Sequence, residues 1–178
     1  MIFRRRSGPK WLRGFGSRTD GAAAVEFAMV VVPFLIFLFG LLEMGLMFFV
    51  NASFDAALTR AARQVRTGQA QQAAMTIGGF RTAVCSGLLN LFDCSNQTYF
   101  TVAVISNLNS VTYTNPIDSS GNVSITQTFN PGAASDFMLV RGYLHYKPLF
   151  NVFGVLHAPM SDGGYLFVAT ALFRNEPF

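Results

Sequence analysis

Charge is scarce in this sequence. Only 12% of its 178 residues are Asp, Glu, Lys or Arg, against 51% that are hydrophobic, and 19 are phenylalanine. That balance leans toward membrane proteins and leaves room for one modest domain with an appendage. The net charge of +4 is unevenly placed. Arg4, Arg5, Arg6, Lys10, Arg13 and Arg18 crowd the start, whereas the eight acidic residues beyond Gly21 outnumber the seven basic ones. The body is therefore nearly neutral and has no basic face to grip phosphates, so nucleic acid is not an expected partner.

Cysteine and histidine are equally sparse, which narrows the chemistry. Cys85 and Cys94 are the only cysteines. Their C-x8-C spacing is not a redox CxxC and supplies too few ligands for zinc. Outside the cytoplasm they would be suited to a disulfide stapling one turn; two buried free thiols are the alternative. His145 and His157 are the only histidines, and both fit packing or surface roles better than catalysis. There is no GxSxG, no HExxH and no glycine-rich phosphate loop between a strand and a helix. Asp93, Asp118, Asp136 and Asp162 are scattered among turn residues, where Asp serves turn geometry. No catalytic residue, metal site or cofactor is expected.

What the chain does have is a long apolar run. No charged residue falls between Phe27 and Leu42, and apart from Glu43 the apolar character lasts to Val50. About 20 such residues span a bilayer. The run is too long for a cleaved secretory signal, and the small residues Gly21, Ala22, Ala23 and Ala24 precede it rather than follow it. A buried core helix is the competing reading, and the basic flank weighs against it. By the positive-inside rule that flank stays cytoplasmic, which sends everything after residue 50 across the membrane.

The periodicity predicts one helix from 22 to about 66, with Pro33 as a point of kinking. Val30, Phe34, Phe37, Leu41, Met44 and Phe48 keep a three/four spacing. In a run this apolar such a stripe arises by itself; a packing seam for other helices is the sharper alternative. Past Val50 the helix becomes amphipathic, with Phe54, Leu58, Ala61 and Val65 on one face and Asp55, Arg60, Arg63 and Arg66 elsewhere. A second helix is predicted over 71–92, carrying Ala73, Ile77, Phe80, Val84, Leu88 and Phe92 on one side. From 98 onward the period shortens to two. Segments 99–106, 122–129, 136–146 and 164–174 read as strands separated by turn clusters, and short loops between them point to an antiparallel sheet. The expected class is α+β.

Two carboxylates frame the apolar run. Glu26 and Glu43 stand roughly 25 Å apart along a helix, close to the hydrocarbon thickness, so both could sit at interfaces. That explains Glu43 better than Glu26. If the chain were cut after Gly21, Ala22 would carry a free amine with a pKa near 8, and Glu26 would lie one turn away. A first-turn carboxylate is favoured by the helix dipole and would offset that amine, or pair with the Ala22 amine of an adjacent subunit.

A basic leader, a glycine, a glutamate and a phenylalanine at the fifth and sixth positions after it, then an apolar helix: this order resembles a prepilin. The segment "RTDGAAAVEFAMVVVPFLIFLFGLLEMG" is similar to the N-terminal part of TadE-like proteins, minor pseudopilins of the tight-adherence (Tad/Flp) pilus. "ALTRAARQVRTG", the two-cysteine segment "FRTAVCSGLLNLFDC" and the closing "ATALFRNEPF" extend the resemblance. In one departure, Leu46 follows Gly45 where many relatives carry arginine, so a pairing role for that arginine does not carry over.

The resemblance implies a pilin-like architecture. A basic cytoplasmic prepilin leader (1–21) precedes a transmembrane helix (22–50), its amphipathic continuation (51–68) and a periplasmic α+β domain (69–178). There the second helix packs on a C-terminal antiparallel sheet of about four strands. It further implies a bacterial inner-membrane protein, single-pass, cut by a prepilin peptidase between Gly21 and Ala22. Glu26 would be the pilin-type glutamate. Its partners would be that peptidase, other pilins and pseudopilins, the inner-membrane assembly platform and membrane lipid. The function implied is a structural role in assembling a type IVb pilus. The alternative is a signal-anchored periplasmic binding domain that is never cut.

Overall fold

The computed structural model describes residues 20–88, 93–106, 111, 114–149 and 160–178. Leader residues 1–19, Phe92 at the far end of the expected second helix, and His157 lie outside the described residues.

Helix α1 runs from Asp20 to Arg66, through Pro33, and matches the expected 22–66. Its second half is rich in alanine, the strongest helix former, and Arg63 and Arg66 in the last turn complement the negative end of the helix dipole. The helix stops at Gly68, whose φ of 80° is left-handed. Glycine takes that conformation without a Cβ penalty, the usual way to end a helix. The Phe178 ring lies against Gly68, so a side chain there would also collide with it.

The second helix is not continuous. It divides into α2 (Gln69–Gln72) and α3 (Ile77–Cys85), followed by the single turn α4 (Cys94–Gln97). The break falls at 73–76, where Ala74 has a φ of 46°. Thr76 then caps α3, its side chain accepting from the Gly79 N–H at 3.3 Å. A threonine N-cap satisfies one of the orphan donors of a helix start, which makes a fresh start at Ile77 more stable than continuation from Gln72.

Strands β1 (Thr98–Ile105), β2 (Thr128–Phe129), β3 (Phe137–Tyr146) and β4 (Tyr165–Arg174) form one sheet in the order β2-β1-β3-β4. The β1–β3 and β3–β4 pairs are antiparallel, as expected. β2 is different: it pairs parallel to β1, so the sheet is mixed. It is also far shorter than the expected 122–129. Asp118 takes the Ser120 and Asn122 N–H groups into a turn, and only Thr128 and Phe129 reach the ladder.

The core lies between α1 and one face of this sheet. Phe54, Leu58, Ala61 and Val65 of α1 are buried against Phe100, Val102, Met138, Val140 and Leu144. Phe80 of α3 closes one side, edge-on to Phe100 with centroids 5.4 Å apart. α1 approaches β3 so closely at Gly142 that a Cβ there would stand 2.9 Å from both Leu58 Cδ1 and Phe54 Cζ.

Candidate functional site along the N-terminal helix

From Gly21 to Phe39 nearly every residue of α1 is exposed, large apolar side chains included: Phe27 is 68% exposed and Phe37 66%. This stretch is about 27 Å long at 1.5 Å per residue. α1 is the one helix among the described residues long and apolar enough to cross a membrane. A protein surface this apolar is unstable in water and needs lipid or other helices around it.

Gly21, Ala22 and Glu26 sit at the head of this stretch, all exposed on α1. The helix brings Ala22 and Glu26 onto one face by their spacing of four residues. Nothing stands within 4 Å of where a Gly21 side chain would point. The Gly21–Ala22 bond lies in the first turn of α1, where N–H groups lack intrahelical acceptors and unwinding costs least.

The tail of the apolar run has a feature that sequence reasoning missed. The domain first grips α1 at Gly40 and Glu43, both buried, ahead of residue 51 where the amphipathic continuation was expected to begin. Glu43 is only 3% exposed. The Tyr146 O–H at the end of β3 donates to Glu43 Oε1 at 2.7 Å, and the Leu149 N–H donates to the same oxygen at 3.3 Å. β3 ends at Tyr146, and Pro148, which has no N–H to offer a sheet, stands just before Leu149. The Tyr146 ring stacks on Phe167 with centroids 5.4 Å apart. Burial, then the hydrogen bond and charge of Glu43, push the Tyr146 hydroxyl well above the ordinary tyrosine range. The pair therefore ties the helix, at a set depth and rotation, to the end of the sheet. Glu43 is more than an interfacial charge. No local signal reveals this, because its partner lies 103 residues away.

Cys85 and Cys94 are joined in a disulfide with Cα atoms 5.8 Å apart. It links the last residue of α3 to the first of α4, and so fixes the approach of the chain to β1. His145 lies on the sheet face away from α1, its Nε2 3.2 Å from Asp162 Oδ2. Burial raises the Asp162 carboxyl, but the Gly164 N–H, with His145 and Lys147, outweighs it and holds the group below the usual carboxylate range. This pair closes the turn before β4. Among the described residues no group of three or more His, Cys, Asp or Glu could hold a metal ion.

The family model described as TadE-like protein matches residues 21–63. The match covers the exposed apolar stretch and most of the rest of α1, and stops short of the sheet. No curated protein matches, and no solved structure does. TadE-like proteins form a structural and assembly family, so the match points to a component associated with the Tad pilus.

Proposed function

We propose that this chain is a minor pseudopilin needed to assemble a Tad-type, type IVb pilus, anchored in the bacterial inner membrane with its α+β domain in the periplasm. A prepilin peptidase cuts it after Gly21. The observation that carries this reading is the exposed apolar stretch from Gly21 to Phe39, headed by a small-residue pair and one carboxylate. The segment 22–50 spans the membrane, with the buried Glu43 on the side of its last turns that the domain covers. After the cut, the Ala22 amine and Glu26 stand one helical turn apart. In a low-dielectric setting a lone charge is expensive, so Glu26 meets either its own Ala22 amine or that of an adjoining pilin subunit. The assembly platform and other pilins and pseudopilins are the partners this requires.

The test is the N-terminus of the mature protein from its native membrane. Ala22 is expected first, with cutting lost in Gly21→Leu or in cells lacking the peptidase. Met1 at the start of the protein in peptidase-competent cells would sink the processing claim. Glu26→Ala should be cut normally yet fail to support pilus assembly; normal piliation would remove its pairing role.

A further inference from the structure

We propose that the outer edge of β4 and the arginine stripe on the last turns of α1 form a docking groove for an extended acidic segment of another polypeptide, which adds a strand to the sheet. This goes beyond the assembly role and stands whether or not the chain is cut after Gly21.

The strand order ends at β4, and among the described residues no strand pairs with its outer edge. Soluble proteins usually blunt such an edge with proline, lysine, a bulge or brevity. β4 has none of these: it is ten residues long, contains no proline or lysine, and carries its only charge at its last position, Arg174. Between Thr170 and Phe173 this edge forms one wall of a groove of about 780 Å³. The opposite wall is α1, which contributes Arg60, Arg63 and Arg66. Thr170 and Leu172 are exposed, and Leu172 shows 52% of its surface on the sheet face away from the helix. Arg66 is held by Glu176 at 3.2 Å, which closes one end of the groove. Arg60 and Arg63 have no carboxylate partner among the described residues; Arg60 Nε donates only to its own helix, at the Ala56 carbonyl.

Charge selects the occupant. A strand beside β4 would lie about 4.8 Å away, with alternate side chains facing the helix and the outer solvent. Carboxylates at the helix-facing positions would meet Arg60 and Arg63, while apolar side chains at the others would cover Leu172. A second copy of this chain, paired edge to edge, would instead bring two arginine stripes into one gap. Anionic headgroups are disfavoured, since Arg60 lies ten residues beyond Val50, about 15 Å farther along the helix and more than the Debye length of about 8 Å at physiological salt. Duplex DNA does not enter a slot one strand wide. Edge-strand addition draws affinity from main-chain hydrogen bonds and specificity from alternate side chains, the two components this groove offers.

The experiment uses the full chain in detergent micelles and a fluorescent heptapeptide, Thr-Glu-Val-Glu-Val-Glu-Thr, read by anisotropy. Two comparison peptides replace every Glu by Lys, or the central Glu by Pro. The acidic peptide should bind at least tenfold more tightly than either. Binding should fall at least tenfold in the double variant Arg60→Glu/Arg63→Glu, which alters exposed positions only. Amide exchange should slow at 168–173 when the acidic peptide is bound. Equal binding of the three peptides, or protection confined to other segments, overturns the proposal. So does preferential binding of a short DNA duplex, or a concentration-dependent dimer whose formation protects β4 without peptide.

Discussion

Glu43 and Gly142 show how single residues fasten α1 to the sheet by opposite means. Glu43 does so through a hydrogen bond made in a dry setting, where losing one partner leaves the other unsatisfied. Tyr146→Phe removes the donor and should lower stability by about 1–3 kcal/mol in chemical denaturation. The effect should also depend on pH. The Tyr146 hydroxyl is raised in the fold, so its contribution is complete below the ordinary tyrosine pKa of about 10 and lost as pH climbs past it. The stability gap between wild type and Tyr146→Phe should therefore narrow in alkali; a constant gap would mean that Glu43 does not hold the phenol proton. The lowered Asp162 carboxyl works in the other direction: its contribution is present above about pH 4 and lost in acid. Because Asp162 is 38% exposed, water screens that term and Asp162→Asn should matter little at neutral pH. Gly142 fastens the layers by being absent as a side chain. Gly142→Ala would push a methyl to 2.9 Å from Leu58 and Phe54, and overpacking of this kind should cost about 1–3 kcal/mol, read as a lowered melting temperature.

Among the elements, the disulfide decides how α3 is delivered to the sheet. Closing a loop of about nine residues is worth roughly 2–3 kcal/mol, so Cys85→Ser should lower the thermal midpoint, and reductant should lower wild type to the same value. An unchanged midpoint would mean that the loop is already ordered without the bond. The elements differ in how openly the sequence displays them. α1, β1, β3 and β4 lie within two residues of their expected bounds: the strands alternate over eight or more residues, and the apolar run and amphipathic half of α1 join without a proline or glycine between them. The split between α2 and α3 was hidden by an apolar spacing that runs across it; Thr76, a capping residue just ahead of Ile77, was the available signal. The parallel pairing of β2 was not available at all. Two residues carry no period, and their position depends on Phe129 reaching Phe80, whose ring centroid is 5.7 Å away. Gly21, Ala22 and Glu26 stand out in the sequence because the role expected of them rests on local spacing. Glu43 was placed only at an interface because its meaning lies in a contact across the fold.

For the whole molecule, the division of labour along α1 has a measurable consequence. Buried residues begin at Gly40, the hydrophobic core begins at Val50, and Phe39 just ahead of them has an interaction of its own, so residues 21–38 contribute surface but almost no packing within the chain. Folding of the domain should therefore not depend on them. A chain beginning at Phe39 keeps that residue and Glu43 with its hydrogen bonds to Tyr146 and Leu149, and retains Leu46 and Met47, which pack against the core. Its melting midpoint, followed by circular dichroism in mild detergent, should equal that of the full chain in the same detergent. A chain beginning at Val50 retains every core residue but loses Glu43 and uncovers the Tyr146 hydroxyl to water. It should lose about 0.5–1.5 kcal/mol for that hydrogen bond, with the lost packing of Leu46 and Met47 added. Tyr146→Phe should be far less damaging in the shorter chain than in the longer one, because the carboxylate it serves is already gone. If both truncated chains melt alike, Glu43 does not fasten the domain to the helix. If the Phe39 chain fails to fold, the apolar stretch supports the domain. The expected result separates the molecule into an exposed apolar element free to pack with lipid or other helices and a domain whose orientation on that element is set at Glu43.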